Sequence, residues 1–257
     1  MFVCAPDASQ LLEYEAHALR RTTDLLRSVP PDLALASGTW TARDVAAHLV
    51  TVIGRYLDPG VTLARSPREV DEINRRELDA LEGVPVNELL EMLAARAAEY
   101  TQFWPLLPLD QQFPFHSGVS VDVAALRSNW IGELVIHGRD VALAAGTEVA
   151  IDDAVGLLLV RLLLQVLPGY LRAADIGTAV LVVEPAGGEP VTVRVDSGTT
   201  QVQAGGDAAA ARLRGSPATL ALLLYHRLDV DGALAAGASV GGDPAVVRRV
   251  LAALEQP

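Results

Sequence analysis

The sequence predicts a chain in two parts: a helical half over residues 1–150, then a small α+β half with an antiparallel sheet over residues 151–257. Three observations carry this. Apolar residues recur at helical spacing as far as about residue 167, and then the spacing switches to two. Prolines and glycines cut the first part into segments of helical length. A chain of 257 residues, 51% of them apolar, is long for one core and comfortable for two.

The elements follow in order. Residues 7–28 set Leu11, Leu12, Ala16, Leu19, Leu25 and Leu26 at helical spacing, and Pro30-Pro31 stops the run. A loop containing Gly38 leads into Trp40. Thr41 and Asp44 make a capping box for a second helix, which reaches about Leu57, ahead of Pro59-Gly60. Ser66-Pro67 opens a third helix, with proline in the first turn, and Gly83 ends it. Its Val70, Ile73, Leu78 and Leu81 are apolar, while Glu72, Arg75, Arg76 and Asp79 face water. Residues 85–104 form a fourth helix with Leu89, Leu90, Leu93, Ala97 and Tyr100 along one stripe. The loop over 105–118 is rich in proline and aromatic residues. It either lines a pocket, with Trp104, Phe113, Phe115 and His116, or packs over the helix ends.

A long helix is predicted from about residue 121 to 145, with Ser120 as cap, Asp122 in the first turn and Gly146 just past the end. One more amphipathic helix covers 151–167. Alternating residues over 179–184, 191–195 and 200–204 then read as an antiparallel meander, with 209–214 as a fourth strand. A helix over 217–225, a short edge strand at 238–240 and a last helix from Asp243-Pro244 to Glu255 complete the chain.

Composition excludes some functions. The net charge is −12 and no basic tract is present, which argues against a nucleic-acid partner. Cys4 is the sole cysteine, so no internal disulfide can form; an incidental thiol near a terminus is the expectation, in an intracellular setting. No basic stretch followed by a secretory apolar core opens the chain. The most apolar run, 155–167, is broken by Arg161 and Gln165 and is short for a bilayer. A soluble, cytoplasmic protein is the expectation.

The chemistry sits on two of the helices. Glu133 and His137 are four residues apart, so one helix face carries both, in a stripe otherwise made of Leu126, Trp130, Val141 and Ala144. Burying a carboxylate and an imidazole there is costly unless something pairs them. A plain Glu–His hydrogen bond would do; so would a bound metal. His48 lies on the apolar side of the second helix, beside Val45, Leu49 and Ile53. His48, Glu133 and His137 would together make a three-ligand set with an open position, which suits a catalytic divalent ion, zinc first. Asp140, one turn past His137, either orients a ligand or pairs with Arg139 or Arg43; Asp44 is already explained by its cap. His17 reads as a surface or satisfied core residue rather than a ligand. His116 either meets a substrate or faces water.

The two motifs, Trp40-Thr41-Ala42-Arg43-Asp44-Val45-Ala46-Ala47-His48-Leu49 and Glu133-Leu134-Val135-Ile136-His137-Gly138-Arg139-Asp140, resemble those of the mycothiol-dependent maleylpyruvate isomerase family. The resemblance implies a DinB-like four-helix bundle followed by a sterol-carrier-like domain. It implies metal ligation by the residues at His48, Glu133 and His137, and mycothiol as cosubstrate. The family's reaction adds the thiol to a conjugated double bond, lets it rotate, and expels the thiol; relatives leave the thiol attached. All 20 basic residues here are Arg, which suggests a GC-rich genome, as in the bacteria that use mycothiol. The expected function is therefore S-transfer of mycothiol to a small electrophile, with isomerisation as the alternative. A metal-dependent hydrolase and a non-catalytic binding module remain open. Arg212, Arg214, Arg227 and His226 could contact the thiol, although ordinary salt links are their simpler reading.

Overall fold

The computed structural model describes residues 7–36, 40–58, 60–206 and 209–255. Cys4, and Gly38 and Thr39 ahead of the first motif, lie outside the described residues.

The helical half begins with α1, Ala8–Ser28, capped by Asp7, whose side chain accepts from the Ser9 N–H. The capping box at Thr41 starts α2, Ala42–Leu57: Thr41 accepts from the Asp44 N–H, and Asp44 accepts from the Thr41 N–H in return. Ser66 caps α3, Pro67–Ala80. Helix α4, Val86–Phe103, runs into a short 3-10 turn at Trp104–Leu106. The expected start of the next helix needs correction. Ser120–Asp122 is a strand, β2, paired antiparallel with β1, Gln112–Pro114. Asp122, not Ser120, is the cap of α5, Val123–Ala144, accepting from the Ala125 N–H at 2.7 Å. The polar run that resembled a first turn is drawn out by the hairpin instead. Gly146 ends α5 with a φ of 74°, a backbone that favours glycine.

Packing is pairwise. Helix α1 lies along α5, α2 lies along α4, and α5 also meets α2. The α1–α5 seam holds a buried charge pair: Arg127 donates to Glu15 at 2.9 and 2.7 Å, and the Tyr100 hydroxyl donates to Glu15 at 3.0 Å. Leu11, Leu49, Leu89, Leu93 and Leu134 are fully buried in the same core. Each contributes roughly 1.5–3 kcal/mol relative to exposure.

Helix α6, Asp153–Tyr170, continues past the expected end at residue 167 and carries Pro168 inside it. It is long and apolar enough to cross a membrane by composition, but its sides are largely buried against α5 and the elements that follow. These are β3, Ala179–Pro185; β4, Val191–Asp196; β5, Thr199–Ala204; β6, Ala211–Gly215; α7, Pro217–Leu224; α8, Val230–Ala235; β7, Ser239–Gly242; and α9, Pro244–Ala253. The short α8 has no sequence signal strong enough to predict it. The sheet order is β5-β4-β3-β6-β7. The meander β3-β4-β5 and the β6–β7 pair are antiparallel, whereas β6 joins β3 in parallel. One apolar core joins α1 to α9 across residue 150, while Ala64 and the α3 residues Val70 and Ile73 form a small separate cluster.

Candidate metal centre

His48 is buried on the inner side of α2. Glu133 and His137 lie a turn apart on α5, where that helix passes α2. The three side chains meet. His48 Nε2 is 3.1 Å and His137 Nε2 is 3.4 Å from the same oxygen, Glu133 Oε2. One donor atom from each residue lies within 4.8 Å of the other two, and this trio could hold a metal ion. A tetrahedral ion with bonds of about 2.1 Å has ligand-to-ligand edges of about 3.4 Å, so the spacing fits.

The electrostatics fit as well. Burial lowers the pKa of His48, and Glu133 offsets this only in part. Burial alone would raise the Glu133 carboxyl; hydrogen bonds with His137 and His48 outweigh it and hold the group well below the usual range. His48 is therefore neutral and Glu133 ionised near pH 7, the forms a metal requires. The Nδ1 atoms of both histidines are buried without a hydrogen-bond partner among the described residues. Besides Glu133, Trp40 packs against both rings. Its indole stacks on His137 at 5.4 Å and 28°, and tilts against His48 at 4.8 Å.

Asp140 has a different partner from either one expected. Arg227, from the turn after α7, donates to its carboxylate from Nε at 3.0 Å and from Nη2 at 2.8 Å. Asp140 Oδ2 lies 3.8 Å from His137 Nδ1, beyond hydrogen-bond range. Arg43 instead donates to the carbonyls of Val84 and Leu81 and pairs with Asp44. Arg227 thus reaches the region of the site as a clamp on Asp140. Arg212 and Arg214 both pair with Glu184 on the sheet and do not line the cavity. His226, in a left-handed turn with φ 52°, does not line it either. His17 is exposed on α1.

The trio forms part of the wall of a cavity of about 1370 Å³. Residues from α2, α3 and α5 line it, with α6 and Tyr225 opposite. Of the two readings of the aromatic loop, the structure gives the pocket: Trp104, Phe113, Phe115 and His116 are all in the lining. His116 Nδ1 accepts the Ala64 N–H at 2.9 Å, and burial lowers its pKa to about 4. Three groups in the lining were not anticipated. Arg55 is bound to Glu77 and Asn74 of α3. Asn129, one turn before Glu133, donates to Tyr56. Tyr225 stands against Gly132, where an added Cβ would meet its hydroxyl at 2.8 Å. Asn129 carried a signal, since it continues the spacing of four set by Glu133 and His137. Arg55 and Tyr225 carried none, because long-range packing places them.

No protein-family model matches the chain, and no curated protein matches it. Among solved structures, the chain is similar in fold to one described as the crystal structure of the mycothiol-dependent maleylpyruvate isomerase. The TM-score is 0.56 at 15% identity, over 92% of this chain and 93% of that one. A histidine-to-alanine mutant of that isomerase gives 0.55 at 15% identity, over 88% and 92%. At this identity the likeness establishes a shared fold.

Proposed function

We propose that this chain is a metal-dependent enzyme that activates a low-molecular-weight thiol, mycothiol first, for S-transfer to an electrophilic small molecule. One observation carries the reading: two imidazoles and a carboxylate converge at the wall of a cavity large enough for a thiol and a second substrate. In this reading His48, Glu133 and His137 are the ligands, with zinc the first choice of ion. A divalent ion held there lowers the pKa of a thiol that reaches it, presenting a thiolate near neutral pH. The chain's own part is positional. Trp40 packs against both imidazole rings, Glu133 supplies the negative charge, and Arg227 pins Asp140 beside His137. Residues 1–150 would then be the metal-binding domain and residues 151–257 the domain that closes the cavity.

The isomerase to which the fold is similar supports a second reading, transient addition of the thiol and rotation of a double bond. Three arginines line the cavity: Arg55 and Arg227 are engaged by Glu77 and Asp140, and Arg75 makes no ion pair among the described residues. Asp44, Asp58, Asp71 and Asp79 line the same cavity, and that acidic wall favours the broad transferase reading over a pocket built for a dicarboxylate.

The test is turnover of mycothiol with simple electrophiles and with a cis-configured conjugated acid, with and without added zinc. Turnover that needs both thiol and metal supports the proposal, and the product separates transferase from isomerase. Full activity after thorough removal of metal, or turnover without thiol, overturns it: the latter indicates a hydrolase, and binding without turnover a non-catalytic module.

A further inference from the structure

Asn129 lies one turn before Glu133 and two before His137 on the same face of α5, and it lines the same cavity. Successive turns are 5.4 Å apart along the helix. Its amide is locked in one orientation. The Tyr56 hydroxyl lies 3.2 Å from the Leu126 carbonyl, which can only accept, so the hydroxyl proton is committed there. The Tyr56 oxygen must then accept from Asn129, and it does so from Nδ2 at 2.9 Å. Burial pushes the Tyr56 pKa far above its ordinary value, so the phenol keeps that proton. This arrangement commits one Nδ2 proton. Asn129 Oδ1 accepts no hydrogen bond from the described residues and is not among the buried unpartnered atoms, so it keeps some exposure on a residue that lines the cavity.

The result is a fixed acceptor one helical turn before Glu133, on the helix that carries two members of the trio. We infer that Asn129 is a specificity-determining residue, whose Oδ1 accepts the amide N–H of a thiol that carries this group two carbons from its sulfur. A cysteine-derived thiol acylated on nitrogen has this form. The inference rests on the thiol-activating reading above and adds to it which thiols are admitted. An acceptor locked in this way discriminates between a donor and an acceptor at one position of the ligand, because a second acceptor there meets Oδ1 with no proton between them.

The experiment compares N-acetylcysteamine with its isostere 2-mercaptoethyl acetate, in which the amide N–H is replaced by an ester oxygen. Each is titrated into the cobalt-loaded protein, and the sulfur-to-cobalt charge-transfer absorption reports binding without turnover. The wild-type protein should bind the amide about tenfold more tightly than the ester. Asn129→Leu should bring the two within about twofold, mainly by weakening the amide. Equal binding of both thiols by the wild type, or a preference retained in Asn129→Leu, overturns the role of Asn129 and leaves thiol activation standing. Cobalt retained with no charge-transfer band for either thiol overturns the thiol reading itself. Should Asn129→Leu fail to fold, Asn129→Ala takes its place with the same outcomes.

Discussion

Replacing Glu15 by alanine should destabilise the protein by about 3–5 kcal/mol, the range for one half of a buried ion pair removed. The side chains of Arg127 and Glu15 are 0% and 4% exposed, so solvent screening does little to reduce the effect. Glu15 accepts two hydrogen bonds from Arg127 and one from Tyr100, and its removal strands all three donors. Arg127 Nη1 has no partner among the described residues even in the intact protein, so the cluster has nothing in reserve. At roughly 2–4 °C per kcal/mol for a chain of this size, the midpoint should fall by about 10 °C. Urea unfolding followed by far-UV circular dichroism would measure the loss as a shift in midpoint at constant slope. The paired replacement Glu15→Met with Arg127→Met should recover most of it, since no charge is then left alone in the core. A loss below about 1 kcal/mol for Glu15→Ala, or a double variant as unstable as the single, would refute the reasoning. The result also bears on the site, because this pair fixes α1 against the helix that carries Glu133 and His137.

Three further outcomes are expected. His48→Ala should lose bound metal by elemental analysis while its circular dichroism spectrum stays that of the folded protein; retained metal would remove His48 from the ligand set. Gly156→Ala should cost about 1–3 kcal/mol in urea unfolding, because the new Cβ would meet the backbone of Pro217 and Ala218 at 2.5–2.6 Å and only a shift of α7 relieves it. His116 has a folded pKa of about 4, against an ordinary value of 6.5. The unfolded chain binds the extra proton first, so the contribution is complete above pH 6.5 and is lost as pH falls toward about 4, up to about 3 kcal/mol in all. His116→Asn keeps an acceptor for the Ala64 N–H and should flatten the stability profile across that window; an unchanged profile would show that another group titrates there.

The local elements were readable because local physics makes them. A capping box at Thr41 and Asp44, prolines at Pro67, Pro217 and Pro244, and a left-handed glycine at Gly146 act within a turn of their own position. The same holds for part of the site. The spacing of four between Glu133 and His137 already requires a shared face, and His48 on an apolar face requires a partner. Where the sequence misled, a non-local contact outweighed the local signal. Ser120 looks like a cap until residues 112–114 pair with it, and Asp122 then takes the cap with Arg161 and Gln165 bound to its other oxygen. The strand β6 has no local reason to choose a parallel partner; the connection from β5 carries it past the meander to the far side of β3.

The sequence by itself determined the long helices and the strands of the meander, and that His48, Glu133 and His137 turn inward, because period, caps and the cost of burying charge are properties of short segments. The β1–β2 hairpin, α8 and the buried Glu15–Arg127 pair came only with the fold. Only the tertiary structure decided that His48 reaches Glu133 across 85 residues, that Arg227 rather than Arg139 or Arg43 holds Asp140, and that Tyr56 fixes the amide of Asn129. Each of those contacts depends on how two helices or a helix and a distant turn cross. Crossing is set by the packing of many apolar side chains at once, and no single segment encodes it.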